Sequence, residues 1–351
     1  MTTSNPYRLL GGPGSPYSLK MRALLRYRRL PHHWIVPNSY LGTGGELQQA
    51  GKKIIPVLQY PQGSYWADST PLAYDLERRH PTERSILPSD PAQAFLSLLI
   101  EDMADELMCL MMFERRWGSE TDLQFCARRQ LSGWLSPMPK DAFETHVSNF
   151  IGRQTRIRGK LAGASQQALL HALFPEIIGA LEYMLETSLF LFGSRPSLAD
   201  FGLYGQLSQC AIDPTMSQQF KQLAPRAFQW VQTMDDASGI DGHWSPDWQQ
   251  MPWLPSLLRI VGEVHLPLLM AQVHALQDGQ REFSTQVRGH TWQAKVDPYK
   301  LKCLAWLRHA WAALPAASQA QLTPILQETS CWQALQADGL DLSAAGEMRP
   351  F

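Results

Sequence analysis

The hydrophobic pattern changes its period twice along this chain. Through the first eighty residues short apolar runs alternate with helical ones. Tyr7–Leu10 reads as a strand, broken by Gly11, Gly12, Pro13 and Gly14. Ser15-Pro16 then supplies a helix start, with serine as the cap and proline at the first helical position, where its missing N–H costs nothing. That helix is expected to reach about Leu30 and stop before Pro31, with a second strand over His33–Val36 ended by Pro37. Past a Gly-rich loop, Ile54–Tyr60 and Ser64–Trp66 read as two strands around a Pro61-Gln62-Gly63 turn, followed by a helix over about 70–80. The order is βαβαββα, a small mixed sheet flanked by helices.

From Pro91 the strand signals vanish. Leu96, Leu99, Met103, Leu107, Leu110 and Met111 recur at helical spacing, and further helical stretches are expected over about 140–160, 164–190, 198–212 and 219–235. Beyond 240 a Trp- and Pro-rich connector (Trp244, Trp248, Trp253) leads to a helix ending near Leu276. Phe283–Val287 and Thr291–Val296 alternate with period two, as a hairpin does, and Leu301, Leu304, Leu307, Trp311 and Leu314 line one helix face. Three units follow: an α/β domain over 1–85, an all-helical domain over 91–240 and a mostly helical extension over 241–351.

Composition narrows the function. With 31 Lys and Arg against 32 Asp and Glu, no basic excess exists to neutralise phosphates, so nucleic acid is a poor partner. MTTSNPYRLLGG has no basic segment followed by an apolar one, and the longest uninterrupted apolar run, Leu107–Phe113, is far short of the roughly 20 residues that cross a bilayer. No membrane partner is expected. The five scattered cysteines, Cys109, Cys126, Cys210, Cys303 and Cys331, offer neither a disulfide framework nor zinc spacing, which points to a reduced, cytoplasmic setting.

Three short patterns carry candidate chemistry. Ser15, at a helix N-terminus with Tyr17 beside it, stands next to unpaired N–H groups and the positive end of the helix dipole, a place that stabilises a thiolate; its plain alternative is capping alone. At Ile55-Pro56, heading a strand, a cis bond would turn the Ile55 backbone outward toward a peptide-like ligand, whereas trans is the common state. Asp68-Ser69-Thr70-Pro71 leads from strand to helix and makes a carboxylate site at the helix terminus, or again a simple cap. Each is weak singly, but their order within one βαβαββα unit is specific.

On these residues the chain resembles the glutathione transferase superfamily. YRLLGGPGSPYSLKMRALLRYRRL is similar to the family's first strand, active-site turn and first helix, KKIIPVL to its cis-proline segment, and GSYWADSTPLAYDLERRHP to its fourth strand and Glu/Asp-Ser motif. Ser197-Leu198-Ala199-Asp200 resembles its buried N-capping box. The resemblance covers roughly 5–240. It implies a thioredoxin-like domain, a transferase-type helical domain, and glutathione as co-substrate. Ser15 would donate to the sulfur, Tyr17, Ile55 and Pro56 would flank the peptide, and Asp68 and Ser69 would hold the γ-glutamyl end. It also implies a homodimer that conjugates a small apolar electrophile. The turn resembles the CPYC motif of glutaredoxins with Ser15 and Ser18 replacing both cysteines, which argues against disulfide exchange. Ile54 stands where relatives carry a polar residue, implying one glutathione contact fewer.

EDMADELMCLMMFERRW, from Glu101 to Trp117, resembles a helix of transferase-like proteins with long C-terminal extensions. Glu101 and Asp105 lie one turn apart, but no His joins them at ligand spacing. They read as a solvated acidic face or as partners of Arg115 and Arg116, and no metal site is expected. Met108, Met111 and Met112 are candidates for an adaptable apolar pocket, with core packing as the alternative. Gly42-Thr43-Gly44-Gly45 lacks the Gly-Lys-Ser/Thr of a phosphate loop. The alternative to an enzyme is a transferase fold used without chemistry, as a ligand carrier or interaction module.

Overall fold

The computed structural model describes residues 5–36, 45–82, 84–133, 137–161, 164–336 and 339–351. Four strands, β1 (Tyr7–Leu10), β2 (His32–Ile35), β3 (Val57–Gln59) and β4 (Tyr65–Ala67), form one sheet in the order β2-β1-β3-β4. β1 pairs parallel with β2, and antiparallel pairs join β1 to β3 and β3 to β4. The parallel pair needs a crossover, and α1 (Pro16–Tyr27) provides it. α1 ends three residues before the expected Leu30. A short α2 (Glu46–Gln49), the helix that the βαβαββα order calls for between β2 and β3, precedes β3, and α3 (Ser69–Arg79) follows β4. Pro37 and most of the Gly-rich loop, including Gly42–Gly44, lie outside the described residues.

The helical region begins with α4 (Pro91–Met103), which runs through a π turn at Ala104–Met108 into α5 (Cys109–Arg116). Asp90 caps it by accepting from the N–H groups of Ala92 and Gln93. α6 (Glu120–Gly133), which the sequence reading passed over, α7 (Lys140–Leu161) and α8 (Ala164–Met184) come next, then α9 (Leu198–Cys210), α10 (Pro214–Leu223) and α11 (Pro225–Asp235). The single helix expected over 219–235 is two, parted at Ala224, because Pro225 cannot donate the N–H that a continuing helix needs.

All thirteen residues of α9 are buried, so it is the central pillar. Its start is set as expected: the Asp200 carboxylate accepts from the Ser197 N–H (2.8 Å), the Ser197 hydroxyl (2.6 Å) and the Leu191 N–H (3.0 Å). Gly205 lets α1 lie directly against α9; a Cβ there would stand 3.0 Å from the Pro16 carbonyl oxygen and 3.1 Å from the Lys20 Cβ.

After α11 come α12 (Leu254–Ile260), a π turn, and α13 (Leu266–Gln277). The run Leu254–Gln277 is long and apolar enough to cross a bilayer by length and composition, yet 61% of it is buried inside the protein, the pattern of a core helix. β5 (Glu282–Val287) and β6 (His290–Lys295) form the expected hairpin, turned by Arg288 and Gly289 with φ of 46° and 76°. α14 (Tyr299–Ala312), α15 (Ala316–Glu328) and α16 (Trp332–Gln336) complete the chain. The main core runs unbroken from Tyr7 to Leu335.

Candidate functional site

Two adjoining cavities lie where the sheet meets the helices, sharing Tyr17, Ile54 and Ile55 as their common wall. The larger, about 330 Å³, is floored by the turn Gly12–Tyr17 and walled by α5, α6 and α7. The smaller, about 200 Å³, is bounded by Ile55-Pro56, by Asp68–Thr70, and by Asp105 and Glu106 of the π turn. Tyr299 and Phe351, from the far end of the chain, line its remaining side. The structure thus brings all three sequence patterns to one place.

At the first, the Ser15 Oγ accepts from the Ser18 N–H at 3.3 Å, so Ser15 does cap α1. Its own O–H has no acceptor among the described residues and remains available to a ligand. The turn beneath it is clamped from three helices. Arg116 donates to the Gly14 carbonyl at 3.0 Å, while Arg129 and Gln209 donate to the Pro13 carbonyl at 3.0 and 3.2 Å. Arg116 is itself fixed by buried Asp213 at 2.6 Å. Clamping two carbonyls fixes where the helix N-terminus points, and that decides what its dipole stabilises.

The second pattern, Ile55-Pro56, has a cis peptide bond. The third departs from expectation in detail. Asp68 adopts φ 82°, a strained conformation for a non-glycine residue, of a kind that persists only where its surroundings enforce it. Tyr299 of the extension donates its O–H to the Asp68 side chain, at 2.8 Å from Oδ2. Burial pushes the Asp68 carboxyl up to about 6, against the lowering effect of that hydrogen bond. The Ser69 hydroxyl turns inward, donating to Asp105 Oδ2 (3.2 Å) and accepting from Lys20 Nζ (3.4 Å). The N–H groups of Ser69 and Thr70, the first two of α3, have no acceptor among the described residues, and both residues line the smaller cavity, an arrangement that suits a carboxylate.

Glu101 and Asp105 are neither a solvated face nor partners of the arginines. Both are buried and bind Lys20 of α1, with Asp105 Oδ2 at 2.6 Å from Nζ, because α1 packs where solvent was expected. Arg116 takes Asp213 instead, and Arg115 lies over the Phe174 ring at 5.1 Å. Burial opposes the Lys20 charge, but Asp105 and Glu101 outweigh it, so the amine stays protonated well above the ordinary lysine range. The sequence signal for Lys20 was a charge on the apolar face of α1, one turn before Leu24.

The larger cavity is aromatic and aliphatic. Trp117 stands 5.7 Å from Phe150 and 6.1 Å from Phe113, ring centre to ring centre, and Leu110, Met112 and Ile54 complete the walls. Of the three methionines singled out, Met112 lines it. Met108 and Met111 do not; both are fully buried in the main core, because the helix turns them away from the cavity. Cys109 is the cysteine at this cavity, and burial raises its thiol to about 11, so it is protonated at neutral pH. Among the described residues no group of His, Cys, Asp and Glu is arranged to hold a metal.

A thioredoxin-type sheet backed by a helical domain, with two adjoining cavities at the start of its first helix, defines the fold class. Residues 9–84 match the model of the glutathione S-transferase N-terminal domain, and residues 164–233 that of the C-terminal domain. Glutathione S-transferase U8 of Arabidopsis thaliana is 27% identical over 124 residues, which are 35% of this chain and 55% of the plant protein. The matched stretch therefore spans about half of that relative. Among solved structures, the β-etherase of Sphingobium sp. strain SYK-6 is 18% identical, with a TM-score of 0.47 over 70% of this chain and 98% of its own. A glutathione S-transferase of Methylobacillus flagellatus, solved with glutathione bound, is 18% identical, with a TM-score of 0.41 over 66% and 96%. These two matches make residues 9–84 and 164–233 domains of the glutathione S-transferase type.

Proposed function

We propose that the protein binds glutathione across the two cavities and transfers its thiolate to a small hydrophobic electrophile. One observation carries this reading: the free Ser15 hydroxyl at the α1 N-terminus, Ile55, and the Ser69-Thr70 start of α3 line two adjoining cavities that share Tyr17, Ile54 and Ile55, the aromatic one lying at the serine end. The γ-glutamyl carboxylate rests on the Ser69 and Thr70 N–H groups, the cysteinyl backbone runs along Ile55 and Pro56 beside Tyr17, and the sulfur reaches Ser15.

A free thiol titrates near 8.5, so only a few per cent is thiolate at pH 7; lowering its pKa by about two units makes thiolate the majority form. The Ser15 O–H and the helix dipole supply that shift. The sulfur lone pair then forms a bond to the electrophilic carbon while the leaving group departs with its bonding electrons. With Cys109 held protonated and serine at positions 15 and 18, the chain offers no thiolate of its own there for disulfide exchange.

A hydrogen bond to a charged group contributes about 1.5–3 kcal/mol. Ser15→Ala therefore lowers turnover by roughly 10- to 100-fold while glutathione affinity changes little. Steady-state kinetics with an aryl halide, beside calorimetric titration with glutathione, measure both; unchanged turnover rejects the assignment. The carrier reading is favoured by the extension residues that line the smaller cavity, and calorimetry separates it: binding without turnover for any electrophile is its signature. The family resemblance also carries a cytoplasmic homodimer into this proposal, and the native mass in solution reads the dimer directly.

A further inference from the structure

Charge around the smaller cavity does not balance. Lys20 is shared by Glu101 and Asp105, and the other nearby ammonium, Lys300, is taken by Glu106. Asp68 receives only the neutral O–H of Tyr299. His265 faces away, onto Asp102 at 2.6 Å. Three carboxylates, Asp68, Glu101 and Asp105, thus have one cation between them. The imbalance localises on one atom. Asp105 is 4% exposed and lines the cavity, yet its Oδ1 is buried with no hydrogen-bond partner, while Oδ2 carries Lys20 and Ser69. A buried carboxylate oxygen left bare is costly and calls for a donor that arrives with the ligand.

The far wall comes from the end of the chain. Phe351 pairs with the free edge of β4, its carbonyl accepting from the Ala67 N–H at 2.8 Å and its N–H donating to the Ala67 carbonyl at 3.3 Å. Its ring borders the cavity and lies 5.7 Å from Lys52 Nζ. With Tyr299 and Phe351 both in place, the extension reaches over the helical domain to the sheet and touches the ligand space directly.

We propose that the C-terminal extension is a working part of the ligand site: Tyr299 holds Asp68 so that Asp68 and Asp105 grip the ammonium of an α-amino-acid group, whose carboxylate sits on the Ser69 and Thr70 N–H pair, and Phe351 closes the space behind it. This rests on the glutathione reading, because the γ-glutamyl end is the part of that tripeptide with a free ammonium and a carboxylate on one carbon. Tyr299 is a positioning residue, acting through Asp68. The site is complete within one chain.

The test compares glutathione with its desamino analogue, glutaryl-cysteinyl-glycine, by calorimetry on the full chain, Tyr299→Phe, Phe351→Ala and a chain lacking residues 347–351. Wild type is expected to prefer glutathione by at least tenfold. Tyr299→Phe should cut that preference by about tenfold without altering the thiolate absorbance of bound glutathione, since the sulfur lies at the other end of the groove. The two Phe351 changes should weaken glutathione several-fold. Equal affinity of wild type for the two peptides overturns the inference, as does unchanged preference in Tyr299→Phe with unchanged affinity in both Phe351 variants; the glutathione reading survives either result. Failure of wild type to bind either peptide removes the glutathione reading itself.

Discussion

Asp68 concentrates the properties of the site in one residue. It stands at the start of α3 with φ 82°, largely buried, with a neutral phenol as its partner, and burial lifts its carboxyl from 3.8 to about 6. The consequence for stability has a definite sign. A carboxyl whose folded pKa exceeds its unfolded value favours the fold while protonated, and that contribution is lost as pH rises from about 4 through about 6. At pH 5 the folded Asp68 is largely neutral; at pH 7.5 it is ionised and costs stability. Asp68→Asn keeps the shape and the tolerance for positive φ but removes the charge. Its melting temperature relative to wild type should therefore be higher at pH 7.5 than at pH 5, as read by differential scanning calorimetry without ligand, while glutathione affinity falls. An equal difference at both pH values contradicts the buried-charge account. Ser15 is the opposite case, a half-exposed cap whose hydroxyl proton has nothing to do until a ligand comes.

At the scale of elements, the site depends on how α1 is held. Its N-terminal turn is gripped through the Pro13 and Gly14 carbonyls by α5, α6 and α9, its middle is tied through Lys20 to α4 and the π turn, and its flank rests on α9 at Gly205. Gly205→Val places atoms against the Pro16 carbonyl and the Lys20 stem. Overpacking of this kind costs about 1–3 kcal/mol, and because it displaces the α1 start, affinity for glutathione should drop along with the melting temperature. A variant that loses stability but binds as wild type would show that the α1 terminus is not what the ligand reads. The local pattern made α1, α3 and α9 visible in advance, with a serine at the start of each, although only Ser15 and Ser197 act as caps. It passed over α6, where Asp122, Cys126 and Arg129 break the apolar stripe; that stripe is interrupted because α6 sends Asp122 to cap α10 at Thr215 (2.9 Å) and Arg129 to the Pro13 carbonyl in the turn before α1.

For the whole molecule, the extension is integral to the core. Phe95 of α4 meets Trp311 of α14 at 5.4 Å between ring centres, the Trp253 indole N–H donates to the Leu191 carbonyl at 3.2 Å, and Gly262 of the second π turn admits the Thr329 carbonyl to within 2.0 Å of where a Cβ would stand. One core with no gap between the helical domain and the extension is expected to unfold as one cooperative unit. Removing residues 241–351 should expose the apolar face of α4, abolish that transition and give a chain that binds a hydrophobic dye and self-associates. A truncated chain that melts sharply at an unchanged temperature would refute this. The same packing explains why the apolar run Leu254–Gln277 needs no bilayer to satisfy it.

Local sequence by itself determined the order of strands and helices in the first domain, the caps at Ser15 and Ser197, the hairpin, and three short patterns in a fixed order, because turn chemistry, capping and apolar period act over a few neighbouring residues. Only the tertiary structure decided which charges meet. Glu101 and Asp105 looked like surface acids until α1 brought Lys20 beneath them. Met108 and Met111 went to the core while Met112 went to the cavity. Tyr299, 231 residues along the chain from Asp68, reached its carboxylate. Such pairings depend on how rigid elements pack at long range, and the candidate ligand site is built from those contacts.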